Sequence, residues 1–352
     1  MEQTVYIVGV KSLFPKMYDA IDVIDKVYNE NLCSVKVNKL AKRLTMGTQI
    51  KTKGISIDLD QFPKKIVPDE NNPLIWGTQI VSSFLKDITK EEIGFISVSY
   101  NTSSHKDFLP NLSFQIANAS QLNLKAPPQE IVNYGCASGV FSILSAVDFC
   151  QKNDSAAYVM AFEQCSCLYD PICDENDKNF RASLKGHTIF GDGSAGLLLA
   201  SGKIAEKFEK KLKIIDVMVD FQYGDAIKAE NGIFLVGDGV KDVMPGLVSE
   251  KVIKPLLEKH GLSPNEILEW SLHQGGIPVI ERFKEEAILG LSETQIEASK
   301  AMFVQYGNVS TPSNLIILES IINHDTGRKD DYGMIVGFGA GYYLGAVLYQ
   351  HC

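Results

Sequence analysis

Short apolar runs rich in Val and Ile alternate along this chain with longer segments of helical period, and the alternation passes through about the same order of elements twice. No other feature restricts the fold as much, because such runs make strands and the segments between them make the helices of a layered α/β protein. The spacing predicts strands at Val5–Val10, Ile93–Ser99, Glu130–Asn133, Ala157–Ala161 and Gly196–Ala200, with helices over Pro73–Lys86, Asn111–Leu122 and Ala137–Cys150. A second series follows: strand Lys213–Phe221, helix Val248–His260, strand Glu269–His273, helices Val279–Leu289 and Thr311–Asn323, and strands Tyr332–Phe338 and Tyr343–Gln350. The polar stretch Ser201–Lys211 separates them. The chain therefore reads as two related α/β halves, 1–205 and 206–352, packed on each other. Tyr169–Gly186, rich in Asp, Asn and Lys, has no apolar period and reads as a surface excursion.

With 352 residues, 45% of them hydrophobic, the chain can bury one large core or two of ordinary size. A formal net charge of -9 and the lack of any run of five basic residues argue against nucleic acid. No apolar stretch approaches the roughly 18 residues that span a bilayer, and the N-terminus has no signal-peptide pattern, so a cytoplasmic protein without membrane contact is expected. Seven cysteines at irregular spacing do not suggest a disulfide framework. Cys165, Cys167 and Cys173 lack the paired C-x-x-C spacing of a zinc site and read as packing residues, so no metal is expected.

Three short motifs carry chemistry. Asn133-Tyr-Gly-Cys-Ala-Ser-Gly139 follows a strand and opens a helix; its small residues permit a sharp turn that leaves the Cys136 sulfur approachable. A helix N-terminus there is expected to lower the thiol pKa. Ser271-Leu-His-Gln-Gly-Gly276 places His273 at a strand end beside two glycines, where an imidazole can move protons. Gln305-Tyr-Gly-Asn-Val-Ser-Thr-Pro-Ser313 places Asn308 in a turn before a helix, a position that an Asn also fills as a simple cap. Strand-to-helix junctions gather at one edge of a layered α/β protein. Together the three would supply a nucleophile, an acid/base and a neutral amide donor, a set suited to acyl chemistry.

These segments resemble the Cys, His and Asn motifs of the thiolase-superfamily condensing enzymes, in the order and approximate spacing of β-ketoacyl-ACP synthase III and of chalcone/stilbene-synthase-like type III polyketide synthases. Phe190-Gly-Asp-Gly-Ser-Ala-Gly196 resembles the family's glycine turn before a strand, and Gly337-Phe-Gly-Ala-Gly341 its C-terminal glycine loop. Ser99–Leu122, with Phe108-Leu109-Pro110, resembles the loop that reaches across a dimer into the partner's pocket. The resemblance implies a five-layered αβαβα thiolase fold, a homodimer, and a buried tunnel to Cys136. It implies that Cys136 takes an acyl group from acyl-CoA or an acyl-carrier protein, and that His273 and Asn308 stabilise the enolate formed when malonyl thioester loses carbon dioxide. The backbone amides of Cys136 and Ala340 would form the oxyanion hole, and Phe108, Leu109, Gly275 and Gly307 would line the substrate pocket. No cofactor is implied.

The subfamily signals conflict. His273-Gln-Gly-Gly276 and Tyr306-Gly-Asn308 lean towards the polyketide group, whereas Gly337–Gly341 followed by Tyr-Tyr-Leu-Gly-Ala346 leans towards synthase III. The reading adopted is synthase III-like decarboxylative condensation in fatty-acid or polyketide metabolism. Iterative type III polyketide synthesis, acyl transfer to oxygen or nitrogen, and a non-catalytic partner subunit are its alternatives. An acyl-carrier protein would want a basic patch, for which Lys251, Lys254, Lys259, Arg282 and Lys284 are a local source. Gly191-Asp-Gly193-Ser-Ala-Gly196 also fits a dinucleotide-binding string, but the residues after it read as a strand, not the required helix. A cysteine protease would use similar side chains, yet nothing around Cys136 resembles one.

Overall fold

The computed structural model describes residues 2–61, 65–66, 71–107, 109–230, 233–237, 239–324 and 327–352. The first series runs β1 (Val5–Leu13), β2 (Met17–Asp19), α1 (Ala20–Val27), α2 (Val35–Thr48), β3 (Thr52–Gly54), β4 (Ile57–Asp58), β5 (Lys65–Ile66), α3 (Pro73–Phe84), β6 (Ile93–Tyr100), α4 (Leu112–Ala119), β7 (Gln129–Val132), α5 (Ser138–Lys152), β8 (Ala156–Gln164), α6 (Phe180–Ile189), β9 (Asp192–Ser201) and α7 (Gly202–Ala205). The second runs β10 (Leu212–Phe221), β11 (Ile227–Glu230), β12 (Ile233–Val236) and α8 (Val240–Val248), which continues through one π-helical turn into α9 (Lys254–Lys259). It ends with β13 (Ile267–Leu272), α10 (Ile277–Arg282), α11 (Glu293–Tyr306), α12 (Ser313–His324), β14 (Tyr332–Phe338) and β15 (Tyr343–His351).

Nine strands form a mixed sheet in the order β13-β14-β15-β10-β1-β9-β8-β6-β7. The two series meet at a short antiparallel seam, Tyr6 opposite Lys213 and Ile7 opposite Leu212. Helix α5 packs on β6 and also on β14, six places away in the sheet. Those strands would lie about 29 Å apart if the sheet were flat, against a helix diameter of about 10 Å, so the sheet must fold around the helix. Three cores result. Ile143, Val147, Leu315 and Leu318 of α5 and α12 fill the space between Val159 and Leu197 on one side and Ile335 and Val347 on the other. Trp76, Ile80 and Ile116 of α3 and α4 cover the outer face of the first series. Val252, Leu256, Ile280 and Phe303 cover that of the second. The layers are αβαβα, as expected from the sequence. Strands β8 and β9 are buried at every residue, which is why they read as unbroken apolar runs.

The structure departs from the sequence reading in four places. Helices α1 and α2, unassigned by the periodicity, bury Val23, Ile24, Val27, Val37 and Ala41. The Tyr169–Gly186 segment is not an outlying excursion: Tyr169, Phe180 and Leu184 are buried against those helices, and α6 begins at Phe180. Its polar composition hides an i,i+4 apolar pair. The helix at Val279 stops at Arg282, because the chain turns back and Leu291 N donates to Phe283 O at 3.0 Å. Cys173 is not a loose packing thiol. Its Cα lies 5.0 Å from that of Cys33, and the two form a disulfide across 140 residues of sequence. Among the described residues no helix is long and apolar enough to cross a membrane.

Candidate active site

Cys136 sits in the turn between β7 and α5. Asn133 and Gly135 adopt left-handed φ values of 64° and 57°, which reverse the chain sharply after the strand. Ser138 closes the turn: its Oγ accepts from Tyr134 N at 3.2 Å and donates to Gly135 O at 2.7 Å. The turn is pressed against the glycine loop that follows β14. A Cβ on Gly135 would stand 2.3 Å from Ala340 N, and one on Gly339 would stand 2.3 Å from Cys136 N. Only glycine at both places allows the backbones of Cys136 and Ala340 to come together.

His273 follows β13. Its N–H donates to Val336 O of β14 at 2.9 Å, and its ring meets Phe338 edge-on with centroids 5.2 Å apart. Phe338 precedes the glycine that touches Cys136, so the imidazole stands at the same strand ends as the thiol. Asn308 lies between α11 and α12, reached through Gly307 at φ 73°. Its main chain bridges Phe190, donating to Ile189 O at 2.8 Å and accepting from Gly191 N at 3.0 Å. Its Oδ1 accepts from Ser310 N at 2.7 Å, and Ser310 Oγ lies 3.3 Å from Cys136 Sγ. One hydroxyl thus links the thiol's turn to the amide's turn. Cys136, His273 and Asn308 are 7%, 2% and 1% exposed.

Glu163, at the end of β8, escaped the sequence reading. Its carboxylate accepts from Thr102 N and Oγ1 at 2.9 and 2.6 Å, from Asn101 N at 3.1 Å, from Ser310 Oγ at 3.1 Å, and from the Asn101 amide and the Thr311 hydroxyl. Ser310 Oγ therefore lies within hydrogen-bond distance of both the Glu163 carboxylate and the Cys136 thiol. An acidic residue ending an otherwise apolar strand was the available signal.

Burial sets the protonation states. The Cys136 thiol is pushed up to about 12 by desolvation, aided by the Glu163 charge and opposed by its bond to Ser310. The start of α5 therefore does not leave it a low-pKa thiolate, as the helix-end argument expects; exclusion of water outweighs the dipole. His273 is pushed down to about 3 by desolvation, so its ring is neutral. Its Nδ1 has no hydrogen-bond partner among the described residues. Glu163 is raised by burial, against the pull of its donors.

The other sequence-derived residues lie as follows. A Cβ on Gly307 would meet Ile189 O at 2.7 Å, which is a packing constraint, and Gly275 lies beside Val279. Leu109 is 82% exposed, and Phe108 lies outside the described residues. The proposed basic patch is neutralised by carboxylates: Lys251 by Asp220, Lys254 by Glu250, Lys259 by Asp216, Arg282 by Glu285, and Lys284 by Glu281 and Glu293. Gly191–Gly196 leads into β9 and not into a helix, so it is no dinucleotide fingerprint.

Residues 227–351 match the family model for the C-terminal domain of chalcone and stilbene synthases, a span that holds His273, Asn308 and Ala340. A putative chalcone synthase of Bacillus subtilis (strain 168) is 27% identical over 252 residues, 68% of this chain and 67% of that protein. The crystal structure of the C-terminal type III polyketide synthase domain of Steely1, a type I/III hybrid from Dictyostelium, superposes with a TM-score of 0.77 at 16% identity, covering 99% of both chains. These matches fall on the polyketide side and not on the synthase III side to which the C-terminal glycine loop inclined the sequence reading. Residues 227–351 are thus similar to the C-terminal domain of chalcone and stilbene synthases, and the fold is thiolase-like, that of a type III polyketide synthase domain.

Proposed function

We propose that the chain is a type III polyketide synthase-like condensing enzyme that loads an acyl group on Cys136 and extends it with malonyl-CoA. The observation that carries this reading is the single buried site in which Ser310 bridges Cys136 Sγ and Asn308 while the glycine loop presses Ala340 against Cys136. The Cys136 sulfur attacks the acyl-CoA carbonyl carbon. Its proton passes to neutral His273, and CoA leaves as a thiol with that proton when the original carbon–sulfur bond breaks. The amides of Cys136 and Ala340 hold the oxyanion between these events. Malonyl-CoA then loses carbon dioxide, and the electrons of the broken carbon–carbon bond pass into an enolate whose oxygen accepts from Asn308 and His273. The enolate carbon attacks the Cys136 thioester and the sulfur leaves.

A neutral imidazole and a neutral amide suit the middle step, since they meet the enolate charge without a standing charge of their own. The ion-paired state of Lys251, Lys254, Lys259, Arg282 and Lys284 leaves no open basic face there for an acidic carrier protein, which favours CoA as the carrier. Leu109, bare in one chain, is the residue a second copy would cover in a homodimer.

Intact-protein mass spectrometry after mixing with a panel of acyl-CoA thioesters tests the reading. One acyl class should add its mass to the parent protein and not to Cys136→Ser. No adduct with any CoA, or equal adducts on both proteins, would remove it.

A further inference from the structure

A second buried polar cluster lies behind the site, on the far side of the Ile189–Gly191 turn from Asn308. Lys53 on β3 is fully buried, and its Nζ donates to His187 O at 2.6 Å in the last turn of α6. The N–H that would take that carbonyl within the helix, Gly191 N, donates instead to Asn308 O. The Tyr169 hydroxyl donates to Phe190 O and sits 3.5 Å from Lys53 Nζ. His187 Nε2 lies 3.2 Å from Leu168 O and so carries the hydrogen, leaving Nδ1 to accept from Tyr28 Oη at 2.8 Å. Strand β3 and the residue before it are also tied to the approach to Asn308: Lys51 N donates to Val304 O at 2.7 Å and Thr52 Oγ1 to Gln305 O at 2.6 Å.

The turn is thus gripped from two sides. Asn308 takes Ile189 O and Gly191 N through its own backbone; Lys53 and Tyr169 take the carbonyls on either side, His187 O and Phe190 O. We infer that Lys53 and Tyr169 are positioning residues for Asn308, acting through this turn and touching neither thiol nor substrate. An apolar side chain of similar length would fill the space of Lys53 without the cost of burying an amine, so packing alone does not account for it. Desolvation brings the Lys53 amine down to about 7, opposed by the nearby Cys165 and Asp192. Either protonation state donates to His187 O. The Cys136 turn and the Gly339–Ala340 loop are separate segments, so loosening the clamp should move the amide and spare the nucleophile.

The inference rests on the proposed condensing activity, and its test separates the two. Full-length parent, Tyr169→Phe and Lys53→Met proteins are compared for acyl loading of Cys136, carbon dioxide release from malonyl-CoA, and melting temperature. In both variants loading should stay within about twofold of the parent while kcat for decarboxylation falls about tenfold or more, the scale expected when a catalytic group is misplaced by a fraction of an ångström to 1 Å. KM should change little. Tyr169→Phe removes one oxygen and keeps the ring, so it serves even if Lys53→Met does not fold. Parental decarboxylation in folded Tyr169→Phe would overturn the inference and leave the activity intact. So would loss of loading and decarboxylation in equal proportion with a large drop in melting temperature, the mark of a structural strut. A parent that neither loads nor decarboxylates would overturn the activity itself, and the inference with it.

Discussion

Helices α5 and α12 lie side by side between the folded halves of the sheet, and each is entered through a left-handed residue, Gly135 at φ 57° for the first and Ser310 at φ 57° for the second. Ahead of α5 the turn holds a thiol, closed by Ser138 folding back on Gly135. Ahead of α12 it holds an amide, closed by Asn308 Oδ1 on Ser310 N. The two turns therefore carry unlike tools. One turn offers a nucleophile and the other offers only neutral donors, so a covalent step and a charge-stabilising step can be altered separately although they share one pocket.

The largest effect that would sharpen this division is Cys136→Ala, which should abolish acyl loading by intact mass. Next, Asn308→Ala should still load but release carbon dioxide from malonyl-CoA about 10²- to 10³-fold more slowly, the range for loss of one aimed donor. Loss of loading in that protein would break the division. The glycines offer a paired test. Gly135→Ala drives a Cβ to 2.3 Å from Ala340 N at positive φ, which should lower stability by about 1–3 kcal/mol in urea titration and damage loading. Gly307→Ala drives one to 2.7 Å from Ile189 O and should damage decarboxylation first.

The smallest effect is one of pH. His273 holds its folded pKa at about 3, below the ordinary 6.5, so between those values the unfolded chain binds the proton that the folded chain refuses. Its contribution to stability is whole above pH 6.5 and drains as pH falls towards 3, by about 1.4 kcal/mol per unit within that window. Urea titrations at pH 6.5 and 5.5 should show His273→Gln losing less stability over that unit than the parent.

The turns at Cys136, His273 and Asn308 were legible because each joins an apolar run to a helical period through small residues, a local signal. The buried runs of β8 and β9 were legible for the same reason. Glu163 was not, because a lone acid at a strand end gains meaning only from Asn101, Thr102, Ser310 and Thr311, which two other segments deliver. Lys53, Tyr169 and His187 are scattered in the same way, and Tyr169 falls in the stretch whose Asp, Asn and Lys content masked Phe180 and Leu184. The loops that bear on the subfamily carry residues that point both ways, and the similar proteins lie on the polyketide side.

The folding of the sheet around α5 and α12 has a consequence for how the chain acquires its structure. The residues that bury Ile143 and Val147 include Ile335 and Val347, some 190 to 200 positions later, and the seam between β1 and β10 joins residues more than 200 apart. Cut at residue 205, the first part would leave one side of α5 bare, so neither part completes the central core. The molecule is therefore expected to melt as one cooperative unit and to fold slowly, waiting on contacts between residues some 200 positions apart.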